Sequence, residues 1–505
     1  MNKEKIKEWL KSNENKLLIL LIVFTVVIRL YYFFKLGNQP IWWDEADYMA
    51  ISKVWALNMP QPEWWQHFTG SRPLLMSFIW YFFMKLNLGE LSMRFFTLLL
   101  PSIFSVYLVY AIGRDLYNKK IGLISGLIMS VYWVQLFYSF RLLTDIPALF
   151  LGLLTIYFFL LYFKKNRKYA IYLSVLFGVL AFSARFPLAL VLISCFLFLL
   201  FVKKASFFKS KTIWKSLGFL FICLLPYIIY FMYSNFYVFQ FYQGESTINT
   251  KILPFIGLFG MFPMFFKIFF LILLILGSLT FFNFISNLDL FWKQRDEKLN
   301  SDFFVLLWII IHLLFYVLLS KTANDRWLLM LMPALFFVVA KGILIVYIFL
   351  KKYNKIFSII IVFAILILGS YQQLSHANSL INIKKQTYEE LKLSGEWLKE
   401  NTPKDAKIIS ASTLQTQYYS ERDTYGIISP GGGSEEYLFD QKVSETNPDY
   451  MIISLFELTY SPDWSFVYPQ KHNMTLSMIY TMDEQKAAMY GTQVGTPILA
   501  IYKFN

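Results

Sequence analysis

The sequence predicts a helical membrane protein with about 11–13 transmembrane helices and a small α/β domain at its C-terminal end. Three observations support this fold class. Apolar residues make up 57% of the 505 residues and charged residues only 16%, whereas soluble proteins carry about 25% charged residues. Apolar runs long enough to cross a membrane recur through the first 371 residues. From residue 372 onward the apolar runs are short and separated by turns, which is typical of a soluble domain.

A transmembrane helix needs about 20 mostly apolar residues. The first apolar run has no small-residue cleavage site after it, so it is predicted to remain as a span. Residues 73–88 are apolar but short, and they are interpreted as a helix that lies at the membrane interface. The predicted spans are residues 17–36, 95–112, 121–138, 146–163, 169–183, 187–202, 213–233, 263–285, 303–319, 327–350 and 355–371.

The charge distribution predicts the orientation. The first 371 residues hold 36 basic and 16 acidic residues, a net charge of +20, and the rest hold 11 basic and 16 acidic residues, a net charge of −5. Lys and Arg collect in the cytoplasmic loops of membrane proteins. Placing the basic clusters in the cytoplasm puts the N-terminus inside and the C-terminus outside. The pattern indicates a membrane lipid environment and gives no reason to expect a nucleic acid partner.

Two domains are therefore predicted. Residues 1–371 form the transmembrane domain, whose first outside loop, residues 37–94, contains interfacial helices. Residues 372–505 form an extracytoplasmic α/β domain, in which KIISAS, TYGIIS, DYMIISL and PILAIY are typical of buried strands. The segment PGGGS is interpreted as a turn, since it lacks the Gly-Lys-Ser/Thr ending of a phosphate loop. The two cysteines lie in apolar runs and predict neither a disulfide nor a metal site.

Ionisable residues outside the cytoplasmic clusters collect in the predicted outside loops. Such residues at the edge of a membrane are costly, and a group of them at one depth indicates a functional site. The segment QPIWWDEADYMA, directly after the first span, holds three carboxylates within a dozen residues. The candidates are Asp44, Glu45, His67 and Arg72 in the first loop, Arg141 and Asp145 in the next, Glu245 in a longer loop, and Lys321 and Arg326 in SKTANDRW.

This set suits the transfer of a sugar from a polyprenyl phosphate, whose head group stays at the membrane surface. The acceptor hydroxyl needs a base that takes its proton, and the departing phosphate needs cationic partners. Asp44 is expected to be the base. Arg72 and Arg326 are expected to bind the phosphate, because a guanidinium binds two phosphate oxygens at once. No cofactor is expected.

The motifs WDEADY, SRPLL and SKTANDRW, with the long apolar stretch after SMRFF, resemble those of GT-C glycosyltransferases. Within that superfamily they are most similar to glycosyltransferase family 39, the protein O-mannosyltransferases and lipid A aminoarabinose transferases. The resemblance covers residues 15–165 and returns at 315–345. It implies a donor such as dolichyl phosphate mannose. It also implies that Asp44 is the catalytic base with Glu45 beside it, that Tyr48 and Asp145 bind substrate, and that Arg72, Arg326 and Lys321 contact the donor phosphate.

Some features depart from the family pattern and leave the sugar open. The family usually has PPL where this chain has RPL, and the aminoarabinose branch often has Arg at the position of Asp47. The letters WWD at Trp42–Asp44 occur in oligosaccharyltransferases, but there they stand in the C-terminal domain. We expect an inverting, metal-independent transfer; a divalent ion shared by Asp44, Glu45 and Asp145 is the competing hypothesis. Location alone assigns Arg141, His67 and Glu245 to substrate binding.

Plainer interpretations compete with these assignments. Asp44, Glu45 and Asp145 also suit helix caps, and Arg72 and Arg326 suit cations whose heads reach the interface. A lipid or glycan flippase would also have many spans, although it would be expected to show repeated halves and broken helices. An oligosaccharyltransferase-like enzyme with a metal, or a non-catalytic protein of the same fold, would show a similar pattern of spans. The acceptor is open among protein, lipid and glycan.

Overall fold

The computed structural model describes residues 12–63, 65–233, 264–292, 297–318, 324–428 and 433–505. These residues form two compact units. The membrane unit contains the residues up to Gly37 and Arg94–Asn382, and the second unit contains Asn38–Met93 and Ile383–Asn505.

Helices account for most of the chain. Up to residue 233 they are α1 (Asn13–Leu36), α2 (Trp43–Leu57), α3 (Trp65–Ser71), α4 (Leu75–Lys85), α5 (Glu90–Leu116, with a π-helical turn at Phe95–Leu99), α6 (Lys119–Val131), α7 (Trp133–Tyr138), α8 (Asp145–Lys165), α9 (Ala170–Ala184), α10 (Ala189–Lys203), α11 (Ala205–Lys209) and α12 (Lys211–Tyr233). From residue 264 they are α13 (Met264–Ser278), α14 (Thr280–Ser286), α15 (Leu288–Trp292), α16 (Glu297–Leu318), α17 (Met332–Lys351), α18 (Lys355–Lys384), α19 (Glu389–Asn401), α20 (Thr413–Ser420), α21 (Glu436–Thr446), α22 (Tyr468–Lys471) and α23 (Glu484–Tyr490).

Nine helical stretches within the described ranges are long and apolar enough to cross a membrane, which confirms an integral, multi-pass membrane protein. Each of them contains a window of 18 residues with a mean hydropathy of at least 1.2 and no more than two charged residues. They are Asn13–Leu36, Glu90–Leu116, Asp145–Lys165, Phe186–Lys203, Lys211–Met232, Phe269–Ser286, Lys298–Tyr316, Met332–Lys351 and Lys355–Asn401.

Two of the eleven predicted spans are shorter helices. The stretch 121–138 breaks at Tyr132 into α6 and α7, and the backbone N–H of Trp133 at this break donates to Oε1 of Gln373 on α18 at 3.1 Å. Helix α9 has 15 residues, a length of about 22 Å at 1.5 Å per residue. Helix α4 has 11 residues and agrees with the prediction that residues 73–88 form a helix too short to span.

A buried arginine joins the helices of the membrane unit. Arg29 of α1 is fully buried, and its Nε donates to Oγ of Ser102 on α5 at 2.7 Å. Its Nη1 donates to the carbonyl oxygen of Ser130 at 3.1 Å and its Nη2 to Oε1 of Gln135 at 2.8 Å. Hydrogen bonding reduces the cost of burying such a charge, so this network fixes α1 against α5, α6 and α7.

The second unit is built on a mixed five-stranded sheet. Its strands are β1 (Lys407–Ser410), β2 (Asp423–Tyr425), β3 (Tyr450–Ser454), β4 (Thr475–Thr481) and β5 (Pro497–Lys503), in the order β2-β1-β3-β5-β4. Strands β2, β1 and β3 are parallel, and β5 runs antiparallel to β3 and β4. Successive strand residues alternate between two apolar layers: Ile408 and Ile452 pack on one side, and Ile409 and Met451 on the other.

Residues 38–93 pack directly on the C-terminal part of the second unit through α20. The hydroxyl of Tyr419 accepts a hydrogen bond from the backbone N–H of Ile41 at 2.9 Å. Nζ of Lys53 on α2 lies 2.9 Å from Oε1 of Glu421, and Nε2 of Gln417 donates to the carbonyl oxygen of Pro60 at 3.1 Å. These contacts join the two parts into one compact unit.

The structure divides the chain differently from the predicted boundary between residues 371 and 372. Helix α18 continues without a break to Lys384, so the predicted boundary falls inside a helix. The first outside loop, predicted as part of the transmembrane domain, groups with the C-terminal residues instead. The physical reason is the set of polar contacts between α2 and α20.

Candidate active site

The N-terminus of α2 is capped by the side chain of Glu45. Trp42 is the N-cap residue, with an extended backbone, and its N–H donates to Oε2 of Glu45 at 2.7 Å. Glu45 is fully buried. A carboxylate three residues after the N-cap satisfies a backbone donor that the helix itself leaves open. Glu45 therefore stabilises the helix start that carries Asp44, which is the capping role that the sequence also allowed.

Asp44, Asp47, Tyr48 and Arg72 form a cluster in the second unit. Nη2 of Arg72 lies 3.8 Å from Oδ1 of Asp44 and forms a short ion pair with Oδ2 of Asp47. The guanidinium also lies over the ring of Tyr48, with its Cζ 5.8 Å from the ring centroid. Residues 44, 47 and 48 share one face of α2 because helical side chains three and four positions apart are neighbours. Arg72 follows the end of α3 and meets this face.

The two carboxylates of the cluster differ in exposure. The side chain of Asp47 is fully buried, whereas 35% of the Asp44 side chain and 23% of the Arg72 side chain are accessible. Asp47 therefore positions Arg72, and Asp44 presents a carboxylate that a substrate can reach. This geometry places an accessible carboxylate and a guanidinium within one small region, a pairing that could serve acid–base and phosphate chemistry.

The C-terminal part of the second unit also reaches this region. The ring of Tyr460 stacks in parallel on Trp43, with centroids 5.5 Å apart and an interplanar angle of 1°. Oε1 of Glu457 accepts a hydrogen bond from the hydroxyl of Tyr388 at 2.9 Å. Burial and the negative charge of Asp44 raise the pKa of Glu457 above its ordinary value, against the lowering effect of the Tyr388 hydrogen bond.

A second group of predicted residues lies in the membrane unit. Asp145 begins α8 and forms a short ion pair with Nη1 of Arg185, and the side chains of both residues are largely buried. Arg185 thus has a carboxylate partner from among the predicted site residues. Arg141 is buried, with its Cζ 5.8 Å from the ring centroid of Phe137.

Arg326 is positioned by its neighbours in the same unit. It lies in a 3-10 turn, Asp325–Met330, capped by Asn324. Cζ of Arg326 is 6.0 Å from the ring centroid of Tyr138, and the hydroxyl of Tyr138 donates to Oδ1 of Asp325 at 3.2 Å. Burial raises the pKa of Asp325 despite hydrogen bonds from the Arg326 N–H and the Tyr138 hydroxyl.

Three predicted substrate or phosphate contacts fall outside the described parts of the chain. Lys321 and Glu245 lie in ranges that the structure does not describe, and the same holds for the side chain of His67. Their assignments stay predictions. Among the other predicted residues, Asp44, Glu45, Tyr48 and Arg72 lie together in the second unit, and Arg141, Asp145 and Arg326 belong to the membrane unit.

Comparison with known proteins gives a family match over part of the chain and a shared fold over nearly all of it. Residues 71–230 match the family model described as dolichyl-phosphate-mannose-protein mannosyltransferase. No curated protein sequence matches the chain significantly. The chain aligns with ArnT from Cupriavidus metallidurans in the apo state over 97% of its own length and 98% of ArnT, at 11% identity and a TM-score of 0.62. The chain therefore has the fold of ArnT, and residues 71–230 resemble the mannosyltransferase family.

Two further solved structures share the fold of this chain. Archaeal oligosaccharyltransferase AglB from Archaeoglobus fulgidus, in complex with an inhibitory peptide and a dolichol-phosphate, aligns at 12% identity and a TM-score of 0.61, over 95% of this chain and 74% of AglB. ArnT bound to undecaprenyl phosphate aligns at 10% identity and a TM-score of 0.60, over 96% of this chain and 97% of ArnT. The resemblance inferred from WDEADY, SRPLL and SKTANDRW is thereby confirmed.

Sequence reasoning missed several groups that the folded chain brings to these clusters. Asp47 was interpreted only as a departure from the family, although its spacing from Asp44 already places both on one helical face. Arg185 and Asp325 lie next to predicted site residues in the sequence or in space. Glu457 and Tyr460 carry no motif, and only the folded chain brings them to the start of α2.

The competing hypothesis was a divalent ion shared by Asp44, Glu45 and Asp145. Within the residues that the structure describes, no three His, Cys, Asp or Glu side chains are grouped as metal ligands. Asp44 and Asp47 both face the guanidinium of Arg72, Glu45 caps α2, and Asp145 pairs with Arg185. Each carboxylate of the proposed ion site thus has a cation or an N–H as its partner. Metal-independent transfer stays a prediction.

Proposed function

We propose that the transferase moves a sugar from a polyprenyl-phosphate-linked donor to an acceptor hydroxyl at the outer face of the membrane. The observation that carries this proposal is the cluster at the start of α2, where the accessible carboxylate of Asp44 lies 3.8 Å from a guanidinium that a second carboxylate positions. The structures of AglB with a dolichol-phosphate and of ArnT with undecaprenyl phosphate lend support through their shared fold.

In the proposed reaction Asp44 takes the proton of the acceptor hydroxyl. The acceptor oxygen attacks the anomeric carbon, the bond from that carbon to the phosphate oxygen breaks, and its electron pair leaves with the polyprenyl phosphate. Arg72, Arg326 and Lys321 would neutralise the phosphate charge that develops. Tyr48, Asp145, Arg141, His67 and Glu245 would orient the sugar or the acceptor.

Inversion and metal independence follow from this assignment. A single displacement inverts the anomeric carbon, whereas retention needs a second carboxylate as nucleophile. Asp47, the nearest second carboxylate, is fully buried and bound to Arg72, which suits positioning and not attack. Cationic side chains take the place that a divalent ion would fill beside the phosphate.

The proposed orientation has the N-terminus in the cytoplasm and the second unit outside. The net charge of the first 371 residues supports it through the positive-inside rule. The packing of residues 38–93 against the C-terminal residues supports a shared side for both parts. A donor head group at the outer surface would then meet Asp44 and Arg72.

A transfer assay tests the function. Purified protein in lipid nanodiscs would receive a polyprenyl-phosphate sugar and a mixture of hydroxyl acceptors, with and without EDTA. We expect cleavage of the donor, a product of inverted anomeric configuration by NMR, and the same rate with EDTA. Movement of intact donor across a vesicle membrane without cleavage would contradict the proposal and favour a flippase. A retained anomeric configuration would contradict the inverting mechanism. A lower rate with EDTA would contradict metal independence.

A further inference from the structure

The segment Leu455–Tyr460 of the second unit is built against the start of α2. Tyr460 stacks in parallel on Trp43, the residue directly before Asp44. The turn is closed within itself, since the N–H of Tyr460 donates to the carbonyl oxygen of Glu457 at 2.8 Å and the N–H of Ser461 to that of Leu458 at 3.1 Å. A defined surface of the C-terminal residues thus stands beside the proposed base.

Glu457 has a strained backbone that the surroundings support. Its φ is +54°, in the left-handed region, which is unfavourable for an L-residue with a side chain. Its carboxylate is partly buried and accepts the hydroxyl hydrogen of Tyr388 at 2.9 Å. Strained residues of this kind persist where the fold determines them strongly and are concentrated at binding sites.

Glu457 lies three residues before Tyr460, whose ring stacks on Trp43 next to Asp44. The negative charge of Asp44 adds to burial in raising the pKa of Glu457. Apolar and aromatic side chains of the same segment remain exposed: 42% for Leu455, 59% for Leu458 and 38% for Tyr460. The segment thus offers a carboxylate, an aromatic ring stacked on Trp43 and exposed apolar side chains.

We propose that Glu457, Tyr460 and Trp43 form the acceptor subsite of the transferase and that it binds a carbohydrate acceptor. A sugar ring has apolar C–H faces that pack on flat aromatic rings and hydroxyl groups that donate to carboxylates. A peptide acceptor would instead use an exposed strand edge or a helix groove, and the turn at Leu458–Tyr460 offers neither. The inference rests on the proposed function, since it names the class of its acceptor.

In this arrangement Glu457 accepts hydrogen bonds from hydroxyl groups of the acceptor sugar, and the ring of Tyr460 packs on the C–H face of that sugar. Asp44 takes the proton of the sugar hydroxyl that reacts. Glu457 and Tyr460 are binding residues here, and neither takes part in cleavage of the donor. Their removal should therefore weaken acceptor binding and leave hydrolysis of the donor by water unchanged.

Acceptor kinetics with Tyr460→Ala, Tyr460→Phe and Glu457→Gln test the subsite, using oligosaccharide, peptide and lipid acceptors. We expect transfer to the oligosaccharide, an acceptor KM raised about tenfold in Tyr460→Ala and about ten- to hundredfold in Glu457→Gln, and a wild-type KM in Tyr460→Phe, which keeps the ring. Tyr437→Ala and Glu445→Gln, which alter exposed residues of α21, are the matched controls.

Donor hydrolysis without acceptor, measured on the same variants, separates the two proposals. Equal hydrolysis with a raised oligosaccharide KM supports the subsite. Equal hydrolysis with an unchanged KM, or transfer to the peptide or lipid acceptor alone, overturns the carbohydrate subsite and leaves the transferase intact. Absence of donor hydrolysis and of transfer in the wild-type protein would overturn the proposed function, and the subsite with it.

Discussion

At the scale of single residues, Arg72 is shared between two carboxylates with different surroundings. Asp47 is fully buried and in direct contact with the guanidinium, whereas Asp44 is partly accessible and 3.8 Å away. A buried carboxylate bound to a guanidinium keeps that cation in place, and the accessible one remains open to a substrate. The difference in burial agrees with the proposed roles, positioning for Asp47 and proton transfer for Asp44.

Asp47→Asn tests this division of roles. Without its charged partner Arg72 should lose its position, which we expect to lower the unfolding free energy by about 1–3 kcal/mol and to raise the KM for the lipid donor several-fold. Thermal unfolding of the solubilised protein and donor kinetics measure the two effects, with the exposed Asp405→Asn as control. An unchanged melting temperature together with an unchanged donor KM would contradict a positioning role.

The sequence predicted the residues with chemistry better than their supports. Asp44 and Arg72 stood out because both are charged beside apolar runs, and the structure brings them within 3.8 Å. The role of Asp47 was missed, since it depends on where α2 begins. The carboxylate of Glu45 was assigned to catalysis, and its bond to the N–H of Trp42 became visible only once the N-cap was known.

At the scale of elements, the contact between α2 and α20 decides how the proposed base is presented. The N–H of Ile41 is buried and donates to the hydroxyl of Tyr419 just before the N-cap of α2. Lys53 connects the same helix to Glu421 after the end of α20. The C-terminal part of the unit thus holds both the start and the middle of α2.

Tyr419→Phe should weaken this contact. The substitution removes the hydroxyl to which the N–H of Ile41 donates. Leaving a buried donor without its acceptor lowers the free energy of unfolding by about 1–3 kcal/mol. We expect a lower melting temperature and a reduced transfer rate. Tyr437→Phe, at an exposed position of α21, is the matched control. Wild-type stability and rate in Tyr419→Phe would show that this bond does not support the site.

The pair of Lys53 and Glu421 makes the same contact sensitive to acid. Burial raises the pKa of Glu421, but hydrogen bonds from Lys399 and Lys53 outweigh it and leave the pKa below its ordinary value of 4.5. A carboxylate whose pKa is lowered by folding stabilises the protein above its unfolded-state pKa and loses that effect as the pH falls. The melting temperature should therefore fall less from pH 7 to pH 4 in Glu421→Gln than in the wild type. An equal fall in both proteins would contradict this assignment.

Secondary structure was predictable where apolar patterns are strong and less so elsewhere. Strands β1, β3 and β5 match the buried runs, whereas β4 was not predicted because its residues are half exposed at the edge of the sheet. Strand β2 ends at Tyr425, so most of TYGIIS lies beyond it. The break at Tyr132 escaped prediction because Gln373, far along the chain, satisfies the N–H of Trp133.

At the scale of the whole molecule, the chain joins a helical membrane unit to a second unit made of two separate segments. The long apolar runs predicted the membrane unit, and the short strand-like runs predicted the α/β character of the C-terminal residues. It could not predict that residues 38–93 would pack with them, since the bond between Ile41 and Tyr419 joins residues 378 positions apart. Long-range pairings of this kind depend on side-chain geometry and leave no local pattern.

Cysteine labelling tests the proposed orientation of the whole chain. In a background with Cys195→Ala and Cys223→Ala, a membrane-impermeant maleimide should label Glu445→Cys in sealed right-side-out vesicles. Lys352→Cys, in the basic segment after α17, should be labelled only after the vesicles are opened. The opposite pattern would place the second unit in the cytoplasm and contradict an outer-face reaction.

The most direct test of the central claim is the single-turnover transfer rate of Asp44→Asn, measured together with donor affinity. If Asp44 is the base, the rate should fall by about two to four orders of magnitude while the donor binds nearly as well as to the wild type, and Asp405→Asn should transfer normally. A wild-type transfer rate in Asp44→Asn would contradict the assignment of Asp44 and the mechanism built on it.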